Sequence, residues 1–120
     1  MTLMKRLLLL CLLFVAMFAT PLPIRAQWLG IPTVDQCKAT LQVARAKIEA
    51  LPVDHISRHF AESRLNAAEA EASAADFDDC VEEAWKAINE IKHRWHSLEP
   101  GQRLRIQTAN GYLDLHGDVP

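Results

Sequence analysis

From Thr33 to Leu51 the apolar side chains Val34, Cys37, Leu41, Ala44, Ile48 and Leu51 recur at spacings of three and four, while Lys38, Gln42, Arg45 and Glu49 lie opposite. That is the period of an amphipathic helix, and it predicts one over residues 33–51. Thr33 and Gln36 supply the S/T-x-x-E/Q pattern that satisfies free amides at a helix start. Pro52 breaks the pattern, and a second helix is expected over residues 53–74. At 100° per residue it has two apolar faces, one from Ile56, Phe60, Ala67 and Ala70, the other from Ala61, Leu65, Ala68, Ala72 and Ala75. Two apolar faces call for two neighbours. Asp76 is placed to cap a third helix over residues 77–97, with Asp78 and Asp79 in the first turn, where negative charge meets the positive end of the dipole. Its stripe reads Phe77, Cys80, Val81, Ala84, Trp85, Ile88, Ile91 and Trp95.

Three such helices with tight connections predict a mainly α fold, an up-down-up bundle with coiled-coil-like packing. After Pro100 and Gly101 the period changes to two: Leu104, Ile106 and Thr108 alternate with Arg103, Arg105 and Gln107, and Leu113 and Leu115 alternate with Asp114 and His116. With Asn110-Gly111 between them, the two runs predict a hairpin with strands near 103–108 and 112–116, Thr108 facing Leu113 and Ile106 facing Leu115. A lone hairpin is marginal in water. Its apolar face, Leu104, Ile106, Leu113 and Leu115, is therefore expected to pack on the bundle, which needs no second molecule, or to meet a partner or another copy of the chain, the remaining alternative being a tail left partly disordered. These four are the candidate interface, flanked by Arg103 and Arg105.

Half of the 120 residues are apolar, but part of that half is not fold. Residues 7–19 are an unbroken apolar run behind Lys5 and Arg6, and Ala26 offers a small residue for cleavage, which is the layout of a secretory signal over residues 1–26. The bundle then occupies 27–100 and the hairpin tail 101–120. Thirteen apolar residues are short of the roughly 20 needed to cross a bilayer, so membrane anchoring requires an uncleaved leader extended through residues 21–24. Cys11, behind Leu8, Leu9 and Leu10, lacks the small residues of a lipid-attachment signal. Removing Lys5, Arg6 and Arg25 leaves 10 cations against 15 anions, a charge of −5. Such a chain has no electrostatic footprint for nucleic acid. The expected location is periplasmic or secreted.

Export makes the two remaining cysteines, Cys37 and Cys80, natural disulfide partners. Both fall in the first turns of helices that run parallel in an up-down-up bundle, which puts them at one level. Neither has a Cys-x-x-Cys partner, so the expected use is structural.

Histidines are the one suggestive chemical set. His55 and His59 lie one turn apart near the start of the second helix, and the antiparallel arrangement brings them level with the end of the third, where His93 and His96 stand. His55, His59 and His96, helped by His116, are the candidate metal ligands for Zn or Cu, against the alternative of surface or rim histidines and no cofactor. Glu69 with Glu71 and Glu82 with Glu83 do not face each other on a helix, Ser57 stands in no relay with its histidines, and Trp85 and Trp95 are expected to pack in the core. With no phosphate loop or nucleophile elbow, the chain reads as non-enzymatic.

Residues 55–91, with an alanine-rich helix, the turn Ser73-Ala74-Ala75-Asp76-Phe77 and an acid-opened second helix, resemble the helical hairpins of bacterial envelope proteins and of tetratricopeptide-type arrays. The 34-residue recurrence of a true array is missing, so the resemblance implies a helical interaction module. Separately, residues 106–119, IQTANGYLDLHGDV, are similar to the strand-turn-strand of periplasmic BON domains, which continue into a further helix and strand after the point where this sequence stops. The expectation is a small exported scaffold or interaction protein of the cell envelope, binding a protein or envelope component; the alternative is a periplasmic metal-binding or metal-sensing protein.

Overall fold

The computed structural model describes residues 30–119. The expected secretory leader lies outside the described residues. No described helix is long and apolar enough to cross a membrane. The elements in chain order are α1 (Val34–Glu49), α2 (Ile56–Ser73), α3 (Phe77–His93), β1 (Leu104–Thr108) and β2 (Gly111–Leu115). They form the expected three-helix fold followed by an antiparallel hairpin.

Helix α1 opens with the capping box read from the sequence, Thr33 accepting from the Gln36 amide and Gln36 accepting from the Thr33 amide. Its buried line is Cys37, Leu41, Ala44 and Ile48, with Val34 left exposed at the start. It packs on Ala61, Leu65 and Ala68 of α2 and on Cys80, Ala84, Ala87 and Ile88 of α3. Five of the eleven residues in this cluster are alanines, so the helix backbones approach closely. α2 and α3 share the most extensive interface. Sγ of Cys37 and Sγ of Cys80 are bonded, with Cα atoms 5.8 Å apart, so the first turns of α1 and α3 lie side by side as expected.

The turn between α2 and α3 is a Schellman closure: the Asp76 amide donates to Glu71 O and the Ala75 amide to Ala72 O. It places Ala75 at φ 61°, a left-handed position that glycine normally fills. Asp76 does begin α3, but its side chain makes no capping hydrogen bond.

Three expectations are corrected. Trp85 and Trp95 are not core residues; they are 52% and 57% exposed. The buried line of α3 is Cys80, Ala84, Ala87, Ile88 and Glu90, and at 100° per residue Trp85 stands roughly 140° around the helix from Cys80, on the outward side; Trp95 lies beyond the helix, so the phase that places it inward does not reach it. α3 ends at His93 rather than 97, because Arg94 turns left-handed at φ 49° and its guanidinium donates to Ile91 O. The hairpin register differs by two residues from the expected one: Ala109 and Asn110 form the loop, and Gly111 opens β2 at φ 122°. Leu104 pairs with Leu115, Ile106 with Leu113 and Arg105 with Asp114. This register wins because it matches apolar with apolar twice and closes an Arg105–Asp114 ion pair at 2.7 Å, whereas the expected one sets Gln107 against Asp114 and Thr108 against Leu113. A shift of two conserves the face, so Leu104, Ile106, Leu113 and Leu115 remain on one side.

Candidate functional site at the root of the hairpin

The tail is fastened where α2 begins and α3 ends. His116 N donates to Asp54 O and the Ile56 amide donates to His116 O, both at 2.8 Å, a short parallel bridge between the end of β2 and the entry to α2. Leu115 is fully buried. This corrects its place in the candidate interface: it is an anchor of the tail, not a residue offered to a partner. Gly117 lies so close to the chain at Leu98 that an added Cβ would stand 2.7 Å from Leu98 O, and only glycine permits that approach.

His55 is buried and caps α2. Its Nδ1 accepts from the Ser57 amide at 3.1 Å, and since an amide only donates, the ring proton belongs on Nε2, which donates to Asp118 Oδ1 at 3.1 Å. Arg94 Nε bonds both oxygens of the same carboxylate at 3.2 Å. Removing His55 therefore takes away a helix cap and a tail tether together. His55→Ala is expected to cost about 1 to 2 kcal/mol, and His55→Asn, which keeps a capping acceptor, clearly less. Thermal melts of the two variants check this, and equal losses would mean that the cap contributes nothing.

Burial pushes the Asp118 carboxyl up, but the hydrogen bonds from Arg94 and His55 outweigh it and hold the group below its ordinary value. A carboxyl lowered in the folded state adds stability above its unfolded pKa, and that stability is lost as pH falls through the lowered folded value. The difference in stability between the natural chain and Asp118→Asn is thus expected to stay constant from about pH 5 to 7 and to shrink in acid. Denaturation at a series of pH values checks the sign; a difference that grows in acid would contradict it.

At the end of α3, Glu90 is only 2% exposed. Its carboxylate accepts from the His96 amide at 3.1 Å and from His96 Nδ1 at 2.8 Å, so the left-handed turn at Arg94 folds His96 back onto the helix. The imidazole stacks on Phe60, ring centroids 3.6 Å apart and planes 11° from parallel. His59 meets the same phenyl ring edge-on, and His93 stacks beside Trp95. Ser57 Oγ donates to His96 O at 3.1 Å.

The expected neighbourhood of His55 and His96 is thus present, but the residues act as caps, tethers and stacking partners. Among the described residues the one group of three metal-capable side chains with ligand atoms within 4.8 Å is Glu71, Asp76 and Asp79, and it includes none of His55, His59, His96 or His116. Ser57 gives its hydroxyl hydrogen to a carbonyl, so no nucleophile relay forms with His55. Shallow clefts flank this region. One, of about 240 Å³, is lined by Phe60, Trp95 and His96 together with Arg64 and Lys86. Both cations are bound to Glu83, whose carboxyl is held below its ordinary value chiefly by the Lys86 ammonium. Another, of about 270 Å³, runs between Leu51, Pro52 and the tail from His116 to Val119.

Sequence reasoning missed Glu90, Arg94 and Asp118. Glu90 carried a signal: it stands three residues after Ala87, on the inward side of α3. Arg94 and Asp118 carried none, because their roles exist only once the tail is docked.

The arrangement defines a class: a disulfide-stapled three-helix bundle with a β-hairpin rooted at one end. No family model, characterised protein or solved structure matches the chain, so the likenesses to envelope helical hairpins and BON strands rest on the residues that suggest them.

Proposed function

We propose that the chain is a small exported helical scaffold of the cell envelope that works by binding another protein or envelope component, not by catalysis, and that its hairpin is the contact element. The observation that carries this reading is the division along the hairpin: Leu115 at its root is buried, while Tyr112, next to the turn, is 74% exposed. A fold held at the root by this many specific bonds presents the blade beyond it in a fixed orientation, which is what a recognition element needs. Of the candidate interface, Ile106 and Leu113 lie on the presented part, and Leu104 stands at the root opposite Leu115, 38% exposed. The apolar leader and the Cys37–Cys80 bond support placement outside the cytoplasm, in the periplasm or beyond.

Fractionation of the producing cell with intact-mass analysis tests this. The expected result is a processed chain beginning near Gln27, outside the cytoplasm, with the mass of the oxidised Cys37–Cys80 form. An unprocessed chain with free thiols in the cytoplasm would overturn the reading.

A further inference from the structure

The hairpin has one edge engaged and one edge free. β2 continues at His116 into the bridge with Asp54 and Ile56, so its outer side faces the bundle entry. β1 pairs with β2 alone. Across a two-residue loop the flanking pair, Thr108 and Gly111, turns its peptide groups inward. Alternation then sends the N–H and C=O groups of Leu104, Ile106 and Thr108 toward β2, and those of Arg105 and Gln107 outward. Among the described residues neither backbone nor side chain bonds these outward groups. Arg105 and Gln107 are both exposed, so nothing in the described chain covers them. A two-stranded sheet with one buried residue is also below the size at which sheets become stable in water.

We propose that β1 pairs antiparallel with β1 of a second copy of this chain, about a two-fold axis through Ile106, to make a four-stranded sheet in the order β2-β1-β1-β2. The inference rests on the hairpin being the contact element, and it names the partner. The edge is complementary to itself in one register. Arg105 lies opposite Gln107 of the second copy and Gln107 opposite its Arg105, which joins the outward groups in four main-chain hydrogen bonds. Ile106 meets Ile106 at the axis, where the two chains come closest.

Reading across the sheet through that axis gives Leu113, Ile106, Ile106 and Leu113, an unbroken apolar row. On the opposite face the row is Asp114, Arg105, Gln107 and Tyr112, in which each Arg105 keeps its own Asp114 and faces a neutral amide. Neighbouring registers lack this match. An axis through Arg105 sets two guanidinium groups against each other, and one through Gln107 sets Ile106 against Thr108. Antiparallel pairing also sends the two bundles off opposite ends of the sheet, since each is rooted at the Leu115 end of its own hairpin.

Sedimentation equilibrium of the purified, disulfide-bonded protein over a wide concentration range tests the pairing. The expected result is a monomer–dimer equilibrium in which the amides of Arg105 and Gln107 gain protection from hydrogen exchange as concentration rises. Gln107→Pro removes an outward N–H that β2 does not use, and should abolish the dimer while the helical spectrum and melting of the bundle persist. Two further variants leave the backbone intact and act in opposite directions. Gln107→Glu places a carboxylate opposite Arg105 at two symmetric points and should tighten the dimer about tenfold, whereas Gln107→Arg opposes like charges and should weaken it by a similar factor. A chain that stays monomeric throughout, a dimer indifferent to Gln107→Pro, or Gln107→Glu and Gln107→Arg shifting affinity in the same direction would each overturn the proposal. A monomer would still leave the hairpin free to bind a different protein, so this failure is separable from failure of the interaction reading.

Discussion

Reducing the Cys37–Cys80 bond should lower the stability of the protein by about 3 to 4 kcal/mol, because the bond closes a 43-residue loop in the unfolded chain. In a domain of this size that corresponds to a fall in melting temperature of roughly 15 to 25 °C. The effect is large because the rest of the core is thin. Five of its eleven clustered residues are alanines, each burying little apolar surface, and a small domain holds only a modest excess of burial over chain entropy. Both cysteines are themselves fully enclosed, and the bond fixes α1 to α3, where it adds to the packing of Leu41, Ala44 and Ile48. Calorimetric or circular-dichroism melts with and without a reductant measure the shift. A change of less than about 4 °C would mean that the alanine-lined packing suffices alone.

The second large effect is expected at Leu115. It is fully buried, beneath a tail held by the His116 bridge and the Asp118 contacts, and Leu115→Ala should cost about 2 to 4 kcal/mol with loss of protection across the hairpin amides. Leu104, its partner across the strands, should behave differently. It is 38% exposed, and Leu104→Ala should change stability by no more than about 0.5 kcal/mol. Chemical denaturation of the two variants makes the comparison. Equal losses would show that both strands are packed at the root, which would contradict an anchor formed on the β2 side.

The contrast between these two leucines marks where the sequence is legible. Local periodicity places all three helices and both strands, since Cys37, Leu41, Ala44 and Ile48, or Leu113 and Leu115, repeat within reach of one another. The cysteine pair follows from helix order and the position of each residue in its first turn. What the pattern does not carry depends on partners far along the chain. His55 and Asp118 stand 63 residues apart, and Arg94 and Asp118 stand 24 apart. The end of α3 is set by side-chain bonds that close on the turn itself, Arg94 to Ile91 O and Glu90 to the His96 amide and ring, with no Gly or Pro there to announce it. Trp85 sits at the margin of the apolar stripe by angle, and the line that is buried turns toward Ala87 and Glu90, a choice that a pattern of apolar residues does not favour over Val81 and Trp85. The candidate site fared similarly: the meeting of His55 with the end of α3 was readable from antiparallel geometry, but the use of each ring depends on Phe60, Glu90 and Asp118. Leu115 shares its period with Leu113, and periodicity alone does not distinguish a strand's root from the part beyond it.

The presented hairpin is the central claim, and site-specific photo-crosslinking in the producing cell tests it most directly. With a photoreactive residue at position 112, replacing the exposed Tyr112, the account predicts discrete covalent adducts to a partner, a second copy of the chain included. The same residue at position 42, on the exposed polar side of α1, should give none. Adducts of equal yield from both positions, or from position 42 alone, would contradict the account and move the contact surface to the bundle.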